Sequence, residues 1–344
     1  NCPYGTLSTY YQITGNPRKA LELDQRIIEI KAANFGSDDA RLANSLQNIG
    51  INYIDLGDYA AAIDYLERSV NIRVKATNGT DRQLPQNMYS LAHALGKIGR
   101  FGEAHELFLK LIDMQYERTG KVHDTVAYWL NGHGDLLANL GATDEADVAF
   151  QQAMSIYREI EKPEGHFDRS VTLVGLGKVG RDRGDLDAAE RLMHEGLIIR
   201  EKTIGEQNTF TQLARVDLAD VLRRSNRLAD ARTAFETALQ VMRSTGDGEH
   251  PTAAQALTGL AQVELAESNF DAAAEMLEQA IEMTADSIGR GHLDNVDRQL
   301  LLADVLAARG DTARAEALRT TNLELRAALV GQWQAALVRS KIAQ

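Results

Sequence analysis

Apolar and polar positions along this chain fall at helical spacing, and one pattern of them returns many times. The stretch LGDYAAAIDYLERSV, Leu56 to Val70, joins a turn, an alanine run and an amphipathic tail. It comes back as IGRFGEAHELFLKLI from Ile98 and as RGDLDAAERLMHEGL from Arg183. Aligned on the last alanine of the phrase, the copies fall at Ala20, Ala62, Ala104, Ala146, Ala189, Ala231, Ala273 and Ala315. The intervals are 42 residues, with one of 43. Self-similarity at a fixed period of this size marks an array of stacked supersecondary units.

The columns around that alanine predict what each unit is. Five residues before it stands a turn position: Gly15, Gly57, Gly99, Gly141, Gly184, Asn226, Ser268 and Gly310. Gly and Asn accept the left-handed backbone that ends a helix. Helix-capping types follow at once at Asn16, Asp58, Asp185, Asn269 and Asp311. One helix stops and another starts within a few residues, which is a helical hairpin. Seven residues before the turn every copy has a small residue: Ser8, Gly50, Ala92, Gly134, Gly177, Ala219, Ala261 or Ala303. A large column, Leu66, Phe108, Phe150, Met193, Phe235 and Leu277, lies on the second helix. Small and large positions at helical spacing give each helix one buried face and let paired backbones approach closely. A glycine-containing loop separates the hairpins. After it, Asp39, Asp81, Asp124, Asp168, Thr209, Thr252 and Asp294 read as the caps that begin the next one. No run alternates at strand spacing, so the expected class is all-α. A single hairpin cannot bury both faces, so the copies stabilise one another by stacking.

This arrangement resembles the tetratricopeptide repeat, in its 42-residue kinesin-light-chain-like form, which is also common in bacterial signalling proteins. The linking phrase of that class, E-K-x-x-G-x-x-H-P, has counterparts in EKTIG (Glu201 to Gly205), GEHP (Gly248 to Pro251) and SIGRGH (Ser287 to His292). The resemblance implies a right-handed superhelical solenoid of eight helical hairpins over residues 1–320. A C-terminal capping helix is expected over 321–344, where Leu325, Leu329, Trp333 and Leu337 recur at every fourth residue. It also implies that the first helices line a concave face that holds a peptide or a partner helix.

Outward positions on those first helices, counted from the turn, give the candidate binding residues: Asn48, Tyr89, His93, Tyr128, Asn131, Asp135, Lys178, Arg181, Asp220 and Arg223. Tyr89, His93, Tyr128 and Asn131 are expected to form an aromatic and amide patch, a type of surface rich in binding anchors. Lys178, Arg181 and Arg223 are expected to form a basic zone, with Asp135, Asp217 and Asp220 placed to neutralise it. Gln47 and Ile51 stand where the carboxylate clamp of chaperone-binding members has its first lysine and asparagine, so a chaperone C-terminus is not the expected ligand. The asparagine ladder of kinesin light chains is kept only at Asn48, in LQNIG, and Asn131, in LNGHG.

Composition narrows the function further. Lys and Arg number 37 against 49 Asp and Glu, a net charge of -12, so the chain lacks the basic footprint of a nucleic-acid binder. The apolar run LLLADVLAA, Leu300 to Ala308, is short and broken by Asp304, so no direct membrane insertion is expected. One cysteine, Cys2, excludes an intrachain disulfide and a cysteine-based metal cluster. His93, His105, His123 and His133 fall in one region with Asp124 and Asp135, but HExxH is missing and His133 occupies the apolar column. No metal or other cofactor is therefore expected. GLGKVG, Gly175 to Gly180, lies inside a first helix with its glycines at packing positions, not after a strand. There is neither a GxxxxGK[ST] phosphate loop nor a Gly-x-Ser-x-Gly elbow.

The expected function is a non-catalytic protein–protein interaction scaffold whose partner is a protein or peptide. The alternative is the sensory or autoinhibitory region of a larger signalling protein, such as a bacterial kinase or transcription regulator. The chain opens on Asn1 and reads as a processed product or a piece of something longer. Terminal repeats with exposed apolar columns are candidates for pairing between chains into a homo-oligomer. The expected location is cytoplasmic, with the extracytoplasmic part of a membrane-anchored protein as the alternative.

Overall fold

The structure is a computed structural model that describes residues 3–13 and 16–343. Cys2 and Gly15 lie outside the described residues, and so does the side chain of Leu337. Among the described residues there are sixteen α-helices, one short 3-10 turn at Ala40–Leu42 and no strand. The first helices are α1 (Pro3–Ile13), α3 (Ala43–Asp55), α5 (Leu84–Lys97), α7 (Asp124–Asn139), α9 (Phe167–Arg183), α11 (Thr209–Arg224), α13 (Pro251–Ala266) and α15 (Leu293–Arg309). Each is followed after two or three residues by a second helix. These are α2 (Pro17–Phe35), α4 (Tyr59–Thr77), α6 (Phe101–Thr119), α8 (Thr143–Glu159), α10 (Leu186–Ile204), α12 (Leu228–Thr245), α14 (Phe270–Ala285) and α16 (Thr312–Ala343). The chain divides into two compact units, Asn1–Arg118 and Thr119–Gln344, and the repeat runs through both.

The turn column explains why each pair breaks where it does. Gly57, Gly99, Gly141, Gly184, Asn226, Ser268 and Gly310 all take positive φ, between 60° and 98°. That left-handed step reverses the chain after the first helix. Asn16, Asp58 and Asp185 then cap the second helix, each accepting from the backbone N–H three residues on. Asp311 does the same for Arg314. Asn269 departs from the expectation: its side chain makes no cap bond, and its Nδ2 donates instead to Glu264 Oε2 at 2.7 Å.

Within each hairpin the small and large columns meet. Ala20, Ala62, Ala104, Ala146, Ala189, Ala231, Ala273 and Ala315 are all buried, as are Gly50, Gly134 and Gly177 of the small column. A Cβ added at Gly50 would lie 2.5 Å from Leu66 Cγ, and one at Gly134 would lie 2.9 Å from Phe150 Cε1. The glycines of GLGKVG are packing positions: Gly175 presses on the Phe150 ring, and a Cβ at Gly177 would meet Met193 Cγ at 2.5 Å. Only a missing side chain permits this approach.

Between hairpins, the second helix of one packs on the first helix of the next. Leu46 of α3 clusters with Ile28 and Ala32 of α2. Leu173 and Leu176 of α9 cluster with Met154 of α8, and Leu302 and Val305 of α15 with Leu277 and Ile281 of α14. At these places neighbouring hairpins bury apolar residues against each other, as the stacking argument requires.

Two boundaries differ from the sequence reading. Asp39, Asp81, His123, His166, Asn208, His250 and His292 form one column before the first helices; the last five are the N-caps of α7, α9, α11, α13 and α15, whereas Asp39 caps the 3-10 turn ahead of α3 and Asp81 bonds Gln83 just ahead of α5. Each side chain accepts from the backbone N–H two residues later. Asp124, Asp168, Thr209, Thr252 and Asp294 lie one or two residues further on, in the first turn. Histidine is an uncommon cap because it accepts only through a ring nitrogen that carries no proton. At the other end, the segment expected as a separate capping helix continues α16 without a break, so 312–343 is one helix of 32 residues.

Candidate functional site

The ten candidate residues all lie on first helices, but they do not share one environment. In the first unit, Asn48 is half-buried on α3, and its side chain acts with other donors to lower the carboxyl of Asp24 on α2. Asp24 is itself buried, held by Ser8 Oγ at 2.7 Å and Asn52 Nδ2 at 3.0 Å. Burial pushes its carboxyl above the usual range despite these donors. Tyr89 is half-buried on α5, edge-on to Phe108 of α6 with ring centroids 5.8 Å apart. His93 is half-buried one turn further along the same helix.

In the second unit, Tyr128 is half-buried on α7, but Asn131 is not on the surface. It is 1% exposed; its Nδ2 donates to Tyr157 Oη at 3.4 Å and its Oδ1 accepts from Thr172 Oγ1 at 2.9 Å. The reason is packing between first helices. α9 covers this flank of α7, which a count around α7 alone cannot register. Val174 and Gly175 of α9 and Val216 of α11 are buried as well.

The basic zone is a ladder of ion pairs across three first helices. Lys178 of α9 is buried between Asp135 of α7 and Asp217 of α11, with Nζ 2.8 Å and 3.5 Å from their carboxylates. Burial works to lower its pKa, but the two carboxylates outweigh it and hold the ammonium charged. One turn on, Arg181 contacts Asp182 at 2.8 Å and Asp220 at 3.5 Å. Arg223 and Arg224 close on the same Asp220 at 2.6 Å and 3.0 Å. Burial pushes Asp220 up, yet the guanidinium groups of Arg223, Arg224 and Arg181 bring it below the usual carboxylate range. The expected mutual neutralisation is present. Every cation of the zone has a carboxylate, and the network links α7, α9 and α11 into one rigid surface.

A further polar column escaped the sequence reading. Eleven residues after the repeat alanine stand Lys31, Arg73, Gln115, Tyr157, Arg200, Thr284 and Arg326, with the apolar Met242 as the one exception. Several of them reach the start of the next first helix. Lys31 donates to Ser45 Oγ at 2.8 Å, Arg73 to Asp81 at 2.5 Å, Arg200 to the Phe210 carbonyl at 2.7 Å and Thr284 to Asn295 Oδ1 at 2.8 Å. Arg200 is buried without a contacting carboxylate, and burial lowers its guanidinium to about 10. The signal was available as a polar residue kept at a fixed offset inside an otherwise apolar face.

The histidines are dispersed among structural roles. His105 is buried on α6, where burial lowers its pKa, His133 is buried in the apolar column, and His123 caps α7. Among the described residues, no group of three His, Cys, Asp or Glu side chains is arranged to hold a metal ion. No helix among them is long and apolar enough to cross a membrane.

Paired helices of fixed period, with small-on-large packing and a left-handed turn in each pair, define a helical-repeat array. Three sequence profiles described as Tetratricopeptide repeat match the chain, one at residues 1–75 and 209–286, one at 171–209 and one at 258–319. Together they cover well over half of it, and the chain belongs to the tetratricopeptide-repeat family. No curated protein matches it by sequence. Among solved structures, the chain is similar to the Rap conjugation gene regulator of plasmid pLS20 in complex with the Phr* peptide. The TM-score is 0.69 at 14% identity, over 97% of this chain and 95% of that one. It is also similar to a Rap protein complexed with Competence and Sporulation Factor, with a TM-score of 0.61 at 15% identity over 95% and 98%. A tetratricopeptide repeat protein from Parabacteroides merdae ATCC 43184 gives 0.50 at 14% identity over 89% and 96%. These likenesses establish the shared fold.

Proposed function

We propose that this chain is a non-catalytic protein-interaction scaffold that holds an extended peptide or a partner helix on the first-helix face of its second unit. The observation that carries the reading is the α7–α9–α11 surface. Tyr128, Asp135, Arg181, Asp220 and Arg223 stand there half-exposed on successive helices, over a buried Lys178 that locks the helices together. A ligand crossing successive helices would meet one rung per repeat. A preorganised surface lowers the ordering cost of binding. Two proteins of the same fold were solved in complex with Competence and Sporulation Factor and with the Phr* peptide, which is compatible with such a use.

The test is selection from a phage-displayed random peptide library, panned against the full chain and against a Tyr128→Ala, Arg181→Gln variant. The expected result is a consensus peptide whose affinity falls at least about tenfold in the variant, or about 1.4 kcal/mol, while helicity is kept. A consensus that binds both chains equally places the ligand elsewhere and contradicts the proposal.

A further inference from the structure

A groove of about 460 Å³ lies between the second helices α12 and α14, and none of its lining residues belongs to α7, α9 or α11. Its floor is apolar. Leu239 of α12 and Leu257 and Leu260 of α13 are buried there, and Met276 of α14 packs on them while half-exposed. Its rim is polar. Glu236 and Gln240 of α12 and Glu275 and Gln279 of α14 are exposed, with Arg243 one turn beyond Gln240.

The repeat shows what this rim lacks. Glu236 stands five residues after the repeat alanine, and Glu67 of α4 and Glu278 of α14 occupy the same column. An arginine near the start of the following hairpin closes each of those two: Arg100 meets Glu67 at 3.1 Å, and Arg314 meets Glu278 at 2.7 Å. Those arginines lie four residues and one residue before the repeat alanine of their own hairpins. In the hairpin after Glu236 the two positions are Asn269 and Ala272. Asn269 turns to Glu264 instead, and Ala272 carries no charge. One repeat earlier, Arg215 in the column of Leu257 meets Glu201, in the column of Arg243, at 2.7 Å. Among the described residues, Glu236, Glu275 and Arg243 form no ion pair. This groove therefore keeps an apolar floor beside two carboxylates that the chain itself does not match.

Charge sets the occupant. A lysine or arginine from outside would take the place beside Glu236 that Arg314 takes beside Glu278, with Glu275 as a second acceptor. A large apolar side chain close to it would lie on Met276, whose unbranched thioether adapts to what it packs against. The amides of Gln240 and Gln279, one turn further along each helix, each offer a donor and an acceptor to an extended backbone.

We propose that the groove between α12 and α14 is a second docking site, separate from the first-helix face, for an extended segment of a partner protein in which a basic residue is closely followed by a large apolar one. The pairing charges sit on an exposed rim, so the affinity falls as NaCl is raised.

The test is a random linear peptide library displayed on phage and panned against the full chain carrying Tyr128→Ala and Arg181→Gln. With the first-helix face impaired, enrichment reports the groove. The expected result is a consensus with Lys or Arg ahead of a large apolar residue. Its affinity is expected to fall at least about tenfold when Glu236→Lys and Glu275→Lys are added, because like charges then meet across the contact. Replacing the basic residue of the peptide by Glu is expected to restore binding to that variant. Ala272→Arg, which copies the closure at Arg314, is a second, independent variant expected to weaken binding by a similar factor. None of the three positions is buried, and circular dichroism and melting report whether the fold is kept. In the chain with Tyr128 and Arg181 intact, the same substitutions are expected to leave peptides selected by the first-helix face bound as before, which separates failure of this site from failure of that one. No consensus, a consensus without a basic residue, or one bound equally after both groove variants overturns the proposal.

Discussion

The first helices of this array present two surfaces of opposite kind. On α7, α9 and α11, charge is dense and internally matched, with Lys178 held by Asp135 and Asp217, and Asp220 ringed by Arg181, Arg223 and Arg224. On α1 there is no charge, and the same structural element shows Tyr4, Leu7 and Tyr10 to water. The repeat period fixes which side of a helix packs against the previous hairpin. It leaves the sequence free to choose what the other side carries. Neighbouring first helices then decide whether a polar residue there is exposed or becomes a buried link between repeats. A surface of matched charges suits recognition, because each rung is fixed before a ligand arrives.

The largest effect is expected from breaking the ladder at its buried centre. Lys178→Met leaves Asp135 and Asp217 facing each other without their cation. Urea unfolding at pH 7 should show a loss of about 3 kcal/mol, since removing one partner of a buried pair strands the other. Replacing Asp135 and Asp217 by Leu in the same chain should recover most of it. A loss under about 0.5 kcal/mol, the range of an ordinary surface change, would mean the ladder is ornamental.

A smaller effect sharpens the contrast between matched and unmatched carboxylates. Asp55 ends α3 with no cation beside it, and burial raises its carboxyl to about 7. Asp220, ringed by arginines, is held below the usual range. The two make opposite contributions to stability against pH. The Asp55 contribution is fully present below about pH 4 and is lost as pH rises through 7. That of Asp220 is present above about pH 4 and is lost as pH falls further. Asp55→Asn should therefore stabilise the chain by about 1–2 kcal/mol at pH 8 and by nothing measurable at pH 4. Equal effects at both pH values would show that Asp55 titrates normally. At the bottom of the scale, Leu7→Glu should change the unfolding free energy by less than about 0.5 kcal/mol, because Leu7 is 42% exposed.

What could be read from sequence followed from locality. The turn column needed only the preference of Gly and Asn for the left-handed step, and every described member adopts it. Ser268 follows at φ 65° without that preference, carried by the register of the repeat. The small and large columns meet because they belong to the same hairpin, where spacing decides contact. The site was less legible because it depends on the next hairpin. Asn131 and Lys178 occupy polar positions on α7 and α9 that a single helix would expose, and they are buried by the stacking of one first helix on another. The histidine caps were hidden by residue type. His123, His166, His250 and His292 occupy the slot that Asp39 and Asp81 fill earlier in the chain. Column arithmetic finds them once Asp and His are both counted as acceptors.

The most direct test of the proposed recognition face is a hydrogen-exchange footprint of the full chain with and without the consensus peptide selected by panning. The expected protection falls on the first helices α7, α9 and α11, around Tyr128, Asp135, Arg181 and Asp220. Protection confined to the second helices α8, α10 and α12, or to the loops between hairpins, would contradict the account.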